Sequence, residues 1–129
     1  MALTVTGFSS NALTYKLATE TNASDSASLD IFGGSGTLYA IDFDNQDTSN
    51  DAYLKLKLTS GAVTVGTTQP DLMFHLDDAA GTNASQQSAI TIQIPGGVAF
   101  DQLSFWVTDG AATSDTGDPG TVVISFLAS

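Results

Sequence analysis

The stretch from Thr37 to Leu58, TLYAIDFDNQDTSNDAYLKLKL, alternates, turns and alternates again. In its first run Tyr39, Ile41 and Phe43 fall on one side, with Leu38, Ala40 and Asp42 on the other. In the second, Leu54, Leu56 and Leu58 share a side, and Tyr53, Lys55 and Lys57 point the opposite way. Side chains alternate across a strand, so this pattern predicts two strands joined by an Asp-rich connection. It also predicts the register, because a slip by one residue would turn every apolar side chain outward. Lys55 and Lys57 are expected on the solvent face of their strand.

The same pattern recurs along the chain. Leu3 and Val5 alternate with threonines up to Gly7, and Leu13 to Leu17 alternate again before the polar segment TETNASDSAS. Some strand is expected at Leu29 to Phe32. Leu72, Phe74 and Leu76 form a face opposite Met73 and His75, and Ile90, Ile92 and Ile94 alternate until Pro95-Gly96-Gly97, which is expected to stop the strand. At most a helical turn is expected near Val98 to Gln102. Leu103, Phe105 and Val107 share a side with Trp106 behind them, and Val122, Ile124 and Phe126 close the chain. Eight or nine short strands joined by Gly-, Asp-, Ser- and Thr-rich loops predict an all-β fold: one antiparallel β-sandwich, jelly-roll-like, over residues 1–129. Ile41, Phe43, Leu54, Leu56, Phe74, Ile92, Phe105 and Ile124 are its expected core. Several strands are apolar on both faces, as at Trp106 behind Phe105 and Leu127 behind Phe126, which points to cover by another subunit.

Charge narrows the partners. Thirteen Asp and one Glu against three Lys give a formal charge of −11. Nucleic-acid backbone requires cationic neutralisation, and anionic membranes repel such a chain, so neither is an expected partner. No apolar run approaches the ~20 residues of a membrane helix. The opening MALTVTGFSS has neither a basic region nor a continuous apolar stretch, so no secretory signal is expected there. The sequons at Asn22 and Asn83 then read as polar turns. There is no cysteine, hence neither a disulfide framework nor thiolate chemistry.

Candidate sites follow from the Asp-rich loops. Asp42, Asp44 and Asp47, followed by Asp51, offer the oxygens that a calcium ion takes. The run lacks the mid-loop Gly and closing Glu of an EF-hand, and the expectation is a solvated or partner-facing loop with no metal. Asp109, Asp115 and Asp118 form a similar group with the same reading. His75 is the single histidine, without cysteine or a second histidine to share a transition metal, and is expected at a sheet surface. No nucleophile motif accompanies it, so no catalytic residue and no cofactor are expected. Adjacent Asp77 and Asp78 point to opposite faces of a strand and do not make a paired-carboxylate site. Trp106 and Tyr39 read as core or interface aromatics, with a sugar platform as the alternative.

The segments Gly36-Thr37-Leu38-Tyr39-Ala40-Ile41-Asp42, Tyr53-Leu54-Lys55-Leu56, Val65-Gly66-Thr67-Thr68-Gln69-Pro70-Asp71-Leu72, Ile94-Pro95-Gly96-Gly97-Val98-Ala99-Phe100 and Leu103-Ser104-Phe105 together resemble small all-β virion proteins of tailed bacteriophages. Capsid decoration (cement) proteins of cyanophage-like phages are among them. The likeness spans Gly33 to Val107 and omits the loops Asp44–Asn50 and Asp109–Gly120. It implies a non-enzymatic virion component on the outer capsid surface, a homotrimer bound to the major capsid protein. The alternative is a tail-fibre or carbohydrate-binding sandwich.

Leu3, Val5 and Trp106 are the expected partner contacts. Leu3 and Val5 lie in a strand with no evident hairpin partner, so Met1–Ser10 is expected to act as an arm that grafts onto another sheet. Its removal is expected to leave the domain folded.

Overall fold

A computed structural model of the chain describes residues 2–10, 13–60, 62–81 and 86–129, with 8–10, 13 and 14 described by their backbone alone. Met1 of the expected arm and the sequon at Asn83 lie outside the described residues. Eight strands follow one another: β1 (Leu3–Ser10), β2 (Leu13–Glu20), β3 (Gly36–Asn45), β4 (Ala52–Lys57), β5 (Leu72–Leu76), β6 (Ala89–Phe100), β7 (Ser104–Thr108) and β8 (Val122–Ala128). They form a five-stranded sheet ordered β1-β2-β8-β3-β6 and a three-stranded sheet ordered β5-β4-β7, antiparallel throughout. The fold is therefore all-β and sandwich-like, and no helix occurs among the described residues.

The core lies between the sheets. Leu38, Ile41, Phe43, Ile124 and Phe126 from the large sheet meet Leu54, Leu56, Phe105 and Val107 from the small one. Phe105 and Phe126 touch across the interface with ring centroids 4.9 Å apart. Full burial of each such side chain contributes about 1.5–3 kcal/mol, which is what holds two separately bonded sheets together. Six of the eight expected core residues are buried; Phe74 and Ile92 are half-buried on strands at or near a sheet edge and pack against the core from its rim. Between β2 and β3 the chain runs along β7, with Val107 N–H donating to Ser24 O at 2.9 Å and Ser28 N–H to Phe105 O at 2.8 Å. This segment closes one side of the sandwich. It replaces the strand expected at Leu29–Phe32, where one isolated bridge, Ser28–Phe105, is followed by a turn.

Four further expectations about strands are corrected. First, β1 does have a hairpin partner: it pairs with β2 from Leu3↔Glu20 to Ser10↔Leu13 and runs on through Gly7. Second, Pro95-Gly96-Gly97 does not end β6, and no helical turn follows. The register against β3 jumps from Ala40↔Gln93 to Leu38↔Val98, so Ile94–Gly97 bulge opposite the single residue Tyr39. Gly96 and Gly97 have φ of +79° and +74°, which side-chain-bearing residues rarely adopt.

Third, Tyr39 is itself an extra residue against β8, because Leu38 pairs with Ala128 and Ala40 with Leu127. The bulge shifts the phase of β3, so Leu38, Ile41, Phe43 and Asn45 are buried and Tyr39 leaves the face it was expected to share with Ile41.

Fourth, Lys55 is not on a solvent face. It and Trp106 are paired across β4 and β7, pointing away from the core, yet both are buried, at 0% and 1% exposure. The loops 62–71 and 109–121 account for this. They meet through a Thr113 Oγ1–Gln69 Oε1 hydrogen bond of 2.8 Å, and Lys55 Nζ donates to Ala112 O at 2.7 Å. The apolar outer face at Trp106 is covered by the chain's own loops, so Trp106 is not presented to a partner.

Candidate functional site

The β4–β5 ladder brings together residues that are far apart in sequence. Its register runs from Leu56↔Leu72 to Ala52↔Leu76, so Tyr53 opposes His75, and Asp51 and Asp77, the residues that flank the last pair, both come within reach of the His75 ring. All four project from the outer face, because Ala52, Leu54 and Leu76 take the inner one. Tyr53 and His75 stack with centroids 4.5 Å apart and planes 19° from parallel.

His75 Nε2 lies 3.1 Å from Asp51 Oδ2 and 3.7 Å from Asp77 Oδ1. The far oxygens are held by the main chain: Asp51 Oδ1 accepts from Asp78 N–H at 3.1 Å and Asp77 Oδ2 from Gln87 N–H at 2.9 Å. One carboxylate oxygen of each Asp is thereby fixed, and the other is turned to the imidazole. The Tyr53 hydroxyl is harder to ionise than usual, first because of desolvation and then because Asp51, Asp77 and Asp115 disfavour a further negative charge.

The calcium candidates are differently employed. Asp42 Oδ1 accepts from Thr91 Oγ1 across the β3–β6 pair at 2.7 Å, and Asp44 Oδ2 accepts from Gln46 Nε2 at 3.0 Å. Both border a shallow recess of about 310 Å³ with Ala89, Ile90 and Thr91. Asp47 Oδ1 caps its own turn, receiving Ser49 and Asn50 N–H at 2.8 Å each. Asp118 Oδ1 and Asp115 Oδ2 likewise accept main-chain N–H groups of their own loop, from Gly120 and Ala112. Asp47, Asp115 and Asp118 thus serve the turns they stand in, and Asp42 bonds across the sheet.

Among the described residues, the group whose ligand atoms converge is Asp51, His75 and Asp77, all within 4.8 Å of one another. In the sequence Asp51 follows the 42–47 run and His75 has no cysteine or second histidine to pair with; only the register of β4 against β5 unites them. The imidazole nitrogen faces two carboxylate oxygens, so it is set to hold a proton or a cation between them. That differs from a Ser-His-Asp arrangement, in which one imidazole nitrogen faces a hydroxyl.

A separate feature marks the other sheet. β1 is an edge strand bonded to β2 alone, and residues 2–7 are exposed on both faces. Leu3 and Val5 pair with Glu20 and Ala18, which are buried, so they continue the core-facing side of the large sheet beyond the reach of the small one. They stand 38% and 44% exposed. Glu20 anchors the start of this strand, its Oε1 accepting from Ala2 N–H at 2.6 Å and Asn22 N–H at 2.9 Å.

Comparison of the chain with protein-family models, curated proteins and solved structures finds no match in any of the three.

Proposed function

We propose that this protein is a non-enzymatic virion component, a capsid decoration protein that docks on the outer surface of the major capsid protein shell and stabilises it. The observation that carries this reading is the β1 edge. Native sheets protect exposed edges with Lys, Pro or a covering loop. Here the first charged residue is Lys16, in a chain of −11 net charge, and Leu3 and Val5 extend the core face into solvent. An uncharged strand with unused main-chain donors and acceptors and an apolar underside suits addition to a partner's sheet. Each main-chain bond adds only about 0.5–1.5 kcal/mol net, and repetition over the copies on a shell makes such docking hold.

A homotrimer remains part of the proposal, through the half-buried Leu17, Val123 and Leu127 on the outer face of the large sheet. The carbohydrate-binding alternative loses its first platform, since Trp106 is buried. Imaging the particle that carries this chain by cryo-electron microscopy tests the proposal. Density for the sandwich repeated over the outer shell, with β1 against the shell protein, supports it. Density confined to a tail, or a chain absent from the particle, overturns it.

A further inference from the structure

We propose that Asp51, His75 and Asp77 bind a single divalent transition-metal ion of the zinc class on the outer face of the small sheet. Two carboxylates brought together just beyond the end of an antiparallel ladder repel, and an uncommitted pair would turn apart. Here the opposite is built: Asp78 and Gln87 N–H groups hold the outer oxygens, and the remaining oxygens converge on one imidazole nitrogen. Stacking on Tyr53 fixes the ring plane. Metal sites are made this way, with ligands oriented by a surrounding layer of donors and packing.

The spacing also fits. Ligand atoms about 2.0–2.2 Å from a tetrahedral ion stand roughly 3.4 Å from one another. The separations of 3.1 and 3.7 Å from Nε2 to the two oxygens bracket that value, and the two oxygens, within 4.8 Å of each other, would draw together on the ion. The donor set, one imidazole and two carboxylates, distinguishes between ions. Calcium takes six to eight oxygens and gains little from an imidazole, whereas zinc, cobalt and nickel accept mixed nitrogen and oxygen ligands. The ion would take the Nε2 lone pair, with the ring proton kept on Nδ1, and the exposed side of the site leaves room for water as a fourth ligand. The inference concerns these three residues and stands independently of the capsid reading.

Calorimetric titration of the purified protein with Zn²⁺, and visible absorption on titration with Co²⁺, test it. Saturation at one equivalent is expected, with intensified cobalt bands typical of tetrahedral coordination. His75→Gln and Asp77→Asn should each weaken binding at least about tenfold. All three side chains are partly exposed, so far-ultraviolet circular dichroism should not change, and an Asp42→Asn/Asp44→Asn variant should bind as the parent does. Absence of saturable binding overturns the proposal. So does one-equivalent binding that survives His75→Gln, or displacement of Co²⁺ by equimolar Ca²⁺.

Discussion

Lys55 and Trp106 face each other across β4 and β7 on the side of the small sheet turned away from the core, and neither is reached by solvent. A second, smaller interior therefore lies beneath the loops 62–71 and 109–121. It is imperfectly satisfied: Lys55 Nζ has Ala112 O, but the buried Trp106 indole N–H has no acceptor among the described residues. Desolvation lowers the Lys55 pKa, and Asp115 and Asp109 partly restore it.

Truncation and charge removal at Lys55 should therefore differ. Lys55→Ala leaves a cavity and should cost about 2–4 kcal/mol. Lys55→Met keeps the volume and removes a buried charge, so its cost should stay within about 1 kcal/mol even with Ala112 O left without its donor. The sign of the pH effect follows from the lowered pKa. Protonated Lys55 opposes folding at neutral pH, and stability should rise as pH increases through its folded-state pKa toward the unfolded value. Urea melts of both variants between neutral and alkaline pH check this. Equal losses in Ala and Met would show that the charge, not the packing, decides.

This pair also shows what the sequence hides. Alternation in β4 identified Leu54 and Leu56 correctly because burial of one face is a local, period-two signal. It does not reveal the burial of Lys55, because the cover comes from loops outside the strand, Ala112 lying 57 residues further on, and nothing in LKLKL records that. Tyr39 was misphased for a related reason: a bulge adds a residue without changing composition, and its signal, Pro95-Gly96-Gly97, sits on the neighbouring strand and reads as a stop. The Asp51–His75–Asp77 group needed the β4–β5 register, which the apolar pattern constrains only after the two strands are known to pair.

Gly97 should not tolerate a side chain. Its φ is +74°, and a Cβ there would meet the Thr37 methyl and the Tyr39 ring, neither of which lies at the end of a long flexible chain. Gly97→Ala should destabilise by about 1–3 kcal/mol through backbone strain and crowding together. Gly7, at ordinary φ with open space around it, is the control, and Gly7→Ala should change stability by under about 0.5 kcal/mol. Thermal melts of the two variants compare them directly.

Asp71 should set part of the acid limit of stability. Its carboxyl is partly desolvated, which alone would raise its pKa. Leu58 N–H at 2.7 Å and Lys57 Nζ at 3.0 Å outweigh that and hold it below the ordinary carboxylate value. A depressed folded-state pKa contributes stability that is present above the unfolded value and lost as pH falls through the folded one. Asp71→Asn should cost about 1–2 kcal/mol at neutral pH and flatten the acid limb of the stability profile. A variant whose acid limb stays as steep as the parent's would exclude Asp71 as a contributor.

The last prediction concerns the β1 edge, and the structure changes how it must be tested. Deleting Met1–Ser10 would strip one of the two partner strands from β2 and remove the Ala2 N–H from the buried Glu20 carboxylate, whose Oε2 already lacks a hydrogen-bond partner among the described residues. Loss of docking after such a deletion would then report on folding as much as on contact. Leu3→Asp/Val5→Asp is cleaner. Both side chains are exposed, their backbone bonds to β2 are kept, and the cost in stability should be under about 1 kcal/mol. What the double variant loses is the apolar underside on which a docked partner would pack. Incubated with shells of the major capsid protein proposed as its partner, it should bind far less completely than the parent while melting at nearly the same temperature. Thr4→Asp/Thr6→Asp places the same charge on the opposite face of β1 and should bind better than the first pair. If both double variants decorate as fully as the parent, the β1 edge is not the anchor, and the docking surface must be sought on another face of the sandwich.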